Sequence, residues 1–82
     1  MTQRPATLIT GASSGIGAAL AALFAREPGR VLVLAARRTA PMEVLARELQ
    51  SRYGTESVVL AADLEQAGAA GRLLAEIAAR GL

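Results

Sequence analysis

The sequence predicts an α/β fold, a parallel sheet with its helices in the order β-α-β-α-β-α, and three observations carry that expectation. Short apolar runs alternate with longer stretches of helical period along the 82 residues. The middle run, Val31-Leu32-Val33-Leu34-Ala35-Ala36, is apolar throughout instead of alternating, as a parallel strand covered on both faces has to be. The first run leads into Thr10-Gly11-Ala12-Ser13-Ser14-Gly15-Ile16-Gly17, a glycine turn set between a strand and a helix.

Strand one covers about Ala6 to Thr10. The first helix runs from about Gly15 to Arg26, where Ile16, Leu20, Leu23 and Phe24 recur at i, i+4, i+7 and i+8 and are expected to cover the sheet. Pro28-Gly29 ends it. After strand two, Pro41 suits the first turn of a second helix that points Met42, Leu45 and Leu49 inward, with Gly54 just past its end. Glu43 with Arg47, and Glu48 with Arg52, have the favourable i, i+4 order on its solvated side. Strand three is about Ser57 to Ala62. A last helix, about Glu65 to Arg80, carries Leu73, Leu74 and Ile77 on one side. Gly68 and Gly71 each cost it about 1 kcal/mol relative to alanine, so its first turns are its weakest.

Parallel strands must be joined by right-handed crossovers, which puts the first two helices on one face of a sheet ordered 3-2-1. This is half of a doubly wound Rossmann fold. The last helix is expected on the opposite face, where it would ordinarily deliver a fourth strand beside strand one. The chain is therefore expected to be a truncated form, the N-terminal part (residues 1–82) of such a domain. Strand one should lie at an open edge with Leu8 and Ile9 near bare apolar surface, open to self-association or to a complementary remainder of the fold.

Composition narrows the function classes. An apolar fraction of 52% is ample for one small core. A chain this short buries only about 60% of its unfolded surface, so stability should be marginal. There is no cysteine and no histidine, hence no disulfide framework or thiolate site, and Asp63 and Glu65 lack further ligands at a metal-binding spacing. No run of about 18 apolar residues offers a membrane span, and Met1 to Pro5 lead into a strand without a signal-peptide pattern, so a cytoplasmic protein is expected. The net charge is +2 and all nine basic residues are arginine, spread from Arg4 to Arg80. Nucleic-acid binding calls for a basic stripe interleaved with aromatics, and Phe24 and Tyr53 are the only aromatic residues.

The glycine turn carries the chemistry. Gly11 lets the chain leave strand one in a conformation that a β-carbon would obstruct, Gly15 lets the backbone approach a pyrophosphate, and Gly17 lets the helix pack tightly on the strand. A helix beginning near Ser14 aims its unpaired N–H groups and positive dipole end at bound phosphates, while Ile16 faces inward. The spacing, Gly-x3-Gly-x-Gly, differs from the commonest dinucleotide fingerprint, and a glycine turn without a ligand is the plain alternative. The string TGASSGIG resembles, residue for residue, the N-terminal cofactor motif of the short-chain dehydrogenase/reductase family. The resemblance extends over most of the chain, because the end of strand two and the pair Asp63-Leu64 also fall where that family places them.

The resemblance implies that Gly11, Ser13, Ser14, Gly15, Ile16 and Gly17 hold the phosphates of a nicotinamide dinucleotide. Many NAD-preferring members end strand two in an aspartate that binds the adenosine ribose. Here Ala36 stands in its place, followed by Arg37 and Arg38, as in NADP-preferring relatives where arginine pairs with the 2′-phosphate. An Arg-Arg turn facing only solvent is the other reading. Ser14 departs from the basic residue that some NADP enzymes carry before the second glycine. Asp63 resembles the family aspartate that accepts a hydrogen bond from the adenine amino group, with Leu64 lending backbone and wall; capping of the last helix is an equal alternative.

Catalysis is not legible in this chain. The family moves a hydride between nicotinamide and a carbonyl or alcohol using a Tyr-x-x-x-Lys pair and a serine, and a chain without lysine cannot contain that pair. Tyr53 reads as a half-exposed packing residue. Ser13, Ser14, Ser51 and Ser57 have no histidine or lysine to activate them. Two functions remain: the NADP(H)-binding portion of an oxidoreductase of this family, or a self-standing nucleotide-binding or interaction module without reductase activity.

Overall fold

The computed structural model describes residues 6–11, 15–27 and 29–82. It contains β1 (Ala6–Thr10), α1 (Gly15–Ala25), β2 (Val31–Ala36), α2 (Ala40–Tyr53), β3 (Ser57–Ala61) and α3 (Ala69–Ala79). The three strands form one parallel sheet with β2 in the middle, in register from Ala6 opposite Val31 and from Leu32 opposite Ser57. The spatial order and element order are those expected.

β2 is the spine of the core. Val31 through Ala35 are all buried, and alternate side chains serve opposite layers. Leu32 and Leu34 join Ile9, Ala21, Ala25, Met42 and Leu49 beneath α1 and α2, with Phe24 and Leu45 packed against that cluster. Val33 and Ala35 join Leu60 and Leu73 beneath α3, flanked by Ile77. Helices therefore cover both faces, as the unbroken apolar run of β2 requires.

α1 departs from expectation. Its buried residues are Gly17, Ala21 and Ala25, whereas Ile16 is 81% exposed and Leu20 and Leu23 also face outward. Ile16 thus does not face inward, and of the expected stripe only Phe24 packs on the core. The physical reason is the absence of any polar residue in α1: with nothing to mark a solvent side, size decides. The small residues at i, i+4 and i+8 let the helix approach the sheet closely and fill the space at interior density. Pro28, expected to end this helix, lies outside the described residues. What finishes α1 is Thr55, buried between α2 and β3, whose hydroxyl donates to the Ala25 carbonyl. That bond satisfies one of the acceptors a helix end leaves open.

α2 ends as anticipated, with Gly54 at φ 68° donating its N–H to the Gln50 carbonyl. The expected Glu43–Arg47 and Glu48–Arg52 ion pairs do not form. Among the described residues the ion pairs are instead Glu27–Arg30 at 2.8 Å and Glu76–Arg80 at 2.9 Å. Arg30 also donates to the Thr7 hydroxyl at 2.7 Å, tying the loop before β2 to β1. α3 starts at Ala69, four residues later than expected, behind Gly68 at φ 77°; residues 64–68 form turns. Leu74 is 60% exposed, so only Leu73 and Ile77 of its expected face reach the sheet. At the β1 edge Leu8 is exposed and Ile9 is buried, which corrects the expectation that both lie near bare surface.

Candidate nucleotide-binding groove

The sequence positions its candidate residues by strand exits. β1 opens into Gly11, β2 into Arg37 and Arg38, and β3 into Ala62 and Asp63, all at the C-terminal end of the sheet. Two backbone bonds carry the ladder one rung past the strands: the Gly11 N–H donates to the Ala35 carbonyl and the Ala62 N–H to the Ala36 carbonyl, each at 2.9 Å. The exits are thereby held side by side before they diverge. Divergence opens a groove of about 670 Å³ whose small floor is Ala35, Ala36 and Ala62. Arg37 and Arg38 line it together with Gly11, Asp63, Leu64 and Glu65.

Gly11 adopts φ +67°, the left-handed region in which a β-carbon is penalised, as the turn requires. Gly15 is exposed, and a β-carbon built on it meets no atom of a described residue within 4 Å beyond its chain neighbours and its own helix backbone. Gly17 is buried where α1 lies on the sheet. The guanidinium groups of Arg37 and Arg38 are exposed and make no hydrogen bond or ion pair with any described residue. Asp63 accepts the Glu65 N–H on Oδ1 at 3.1 Å, and its carbonyl accepts the Gln66 N–H at 3.0 Å. Asp63 therefore organises its own loop and does not cap α3, whose N-cap is Gly68. Leu64 is 46% exposed on the rim.

Of the predicted residues, the groove unites Gly11, Arg37, Arg38, Asp63 and Leu64. Gly15, Ile16 and Gly17 stand at the start of α1, and Ser13 and Ser14 lie outside the described residues. Sequence reasoning, which places Glu65 in the last helix, misses it as a groove residue; its position two residues after Asp63 is the available signal. Among the described residues no cluster of acids could hold a metal ion, and no helix is long and apolar enough to cross a membrane.

An open groove lined by three alanines, by two arginines that pair with no described residue, and by a left-handed glycine turn fits a phosphorylated nucleotide. Fold and groove thus define a protein of the dinucleotide-binding α/β class, with its site at the carboxyl ends of parallel strands. The family described as short chain dehydrogenase matches residues 5–81, and this chain belongs to it. It is 46% identical over 57 residues to an NADP-dependent 3-hydroxy acid dehydrogenase of Schizosaccharomyces pombe, a match covering 70% of this chain and 22% of that protein. Among solved structures, a metagenomic short-chain oxidoreductase in complex with NADP superposes with a TM-score of 0.84 at 30% identity, covering 98% of this chain and 35% of that one. An alcohol dehydrogenase from the archaeon Thermococcus sibiricus, complexed with 5-hydroxy-NADP, gives 0.83 at 34% identity, over 93% and 32%. The chain spans about a fifth of the length of the curated relatives it matches.

Proposed function

We propose that this chain forms the NADP(H)-binding part of a short-chain oxidoreductase, residues 1–82 being the N-terminal part of its dinucleotide-binding domain. When bound, the cofactor supplies the hydride acceptor or donor for a carbonyl/alcohol substrate. The residues of this chain bind and orient it. Gly11 and Gly15 leave backbone accessible to the pyrophosphate, and Ser13, Ser14, Ile16 and Gly17 are the other residues of the motif assigned to the phosphates. Arg37 and Arg38 neutralise the adenosine 2′-phosphate with charge-assisted hydrogen bonds. Asp63 keeps one carboxylate oxygen for the adenine amino group while the other holds its loop, and Leu64 walls the ring. No residue of the chain is assigned to the chemical step.

One observation carries the NADP(H) reading: the exit of β2 presents to the groove two guanidinium groups that pair with no described residue, and Ala36 stands where an acid would repel a 2′-phosphate. The relatives named with NADP support it. Calorimetric titration of NADP+ and NAD+ tests it. NADP+ should bind more tightly, and Arg37→Ala should weaken it about ten- to hundredfold while changing NAD+ little. Equal affinities in the parent protein, or an unchanged preference in Arg37→Ala, overturn the assignment.

The same reading extends to partners. The free edge of β1, where Leu8 is exposed, is a surface for the remainder of such a fold or for a second copy.

A further inference from the structure

The groove holds one charge that the nucleotide reading leaves idle. Glu65 lines it from the loop between β3 and α3, and Arg37 and Arg38 line it from the exit of β2. The loop is pinned at this point, since the Glu65 N–H is held by Asp63 Oδ1 and the following N–H, of Gln66, by the Asp63 carbonyl. The Glu65 carboxylate makes no ion pair or hydrogen bond with any described residue, so neither arginine consumes its charge. Asp63 differs, because one of its oxygens is already engaged.

We propose that Glu65 sets how strongly the groove discriminates 2′-phosphorylated from unphosphorylated dinucleotides, by repelling the phosphate that Arg37 and Arg38 attract. The inference rests on the NADP(H) reading above. A 2′-phosphate adds about −1.5 to −2 charges, as phosphate monoesters do near neutral pH. At a separation of about 10 Å in water, a carboxylate weakens the binding of such a group by roughly two- to fivefold at low ionic strength, and salt removes most of the effect. NAD+ lacks that group and carries its phosphates in the pyrophosphate common to both cofactors. The signature of Glu65 is therefore a change in the NADP+/NAD+ affinity ratio.

The test is calorimetric titration of the parent protein, Glu65→Gln, Glu65→Asp and Arg37→Ala with both cofactors, at about 20 mM and about 300 mM salt. Glu65→Gln should raise the ratio about two- to fivefold at low salt and hardly at all at high salt, whereas Glu65→Asp, which keeps the charge, should leave it near the parent value. Because Glu65 is exposed, thermal melting should be unchanged in both variants. An unaltered ratio in Glu65→Gln at low salt, an equal gain for NAD+, or the same gain in Glu65→Asp overturns the role of Glu65. If Arg37→Ala loses NADP+ in that same experiment, the NADP(H) reading survives and only this inference falls. If the parent binds neither cofactor, both fall together.

Discussion

Gly15→Val separates the fold from the site. Residue 15 opens α1, is exposed, and, apart from its chain neighbours and its own helix backbone, has no atom of a described residue within 4 Å of the position a β-carbon would take. Its φ is not among the positive values found at Gly11, Gly29, Gly54, Gly68 and Gly81, so the backbone accepts a side chain there. Valine and glycine differ by only about 0.5 kcal/mol in helix propensity, and the difference favours valine. The folded protein should therefore melt within a few degrees of its parent. Binding should not survive so well, because two methyl groups would occupy the space through which a pyrophosphate reaches the backbone. A loss of about 1.4 kcal/mol or more, tenfold in Kd, is expected for NADP+ and NAD+ alike, since both carry that group. The assay pairs calorimetric titration with a circular-dichroism melt, which suits a chain without tryptophan. An unchanged Kd in a folded variant refutes the role of Gly15. A selective loss of one cofactor would refute the shared-pyrophosphate argument.

Three further outcomes follow from packing, exposure and composition. The Ser57 hydroxyl at the start of β3 is buried without a hydrogen-bond partner among the described residues, so Ser57→Ala should stabilise the fold by about 1 kcal/mol, read by urea denaturation; destabilisation would show that the hydroxyl is satisfied in solution. The 82-residue chain by itself should sediment as a species heavier than 8.4 kDa and should not oxidise NADPH in the presence of carbonyl compounds. A cooperative monomer counts against the edge argument, and turnover dependent on this chain alone counts against the catalytic one.

Strand two, the sheet order and the two helical layers were legible because burial on both faces leaves a run with no polar position, and only one handedness of crossover closes it. α2 was legible for a different reason: its polar side is marked by Glu43, Arg47 and Glu48, leaving Met42 and Leu49 one way to face. α1 has no such marks. Any stripe along Gly15–Ala25 is apolar, and the choice of the small one depends on how closely helix and sheet approach, a tertiary quantity. The late start of α3 was hidden in the same way. Glu65 and Gln66 read as helix formers, but Asp63 captures the Glu65 N–H locally and Gly68 takes a left-handed conformation before the helix can begin. The groove was legible wherever a residue leaves a strand directly, as at Gly11, Arg37 and Asp63. It was missed at Glu65, where a loop had been read as helix.

Each strand of this sheet pairs with the one next to it in sequence, and Gly11, Arg37 and Asp63 recur at equal intervals along the chain. The consequence concerns assembly. Pairing needs only one crossover to close at a time, so the loop entropy to be overcome at each step is small and the contact order is low for a parallel sheet. During synthesis every strand–helix unit that leaves the ribosome can dock on its predecessor and add one wall to the nucleotide groove. The residues that line the groove are thus all in place once β3 has joined β2 and the loop carrying Asp63 has turned.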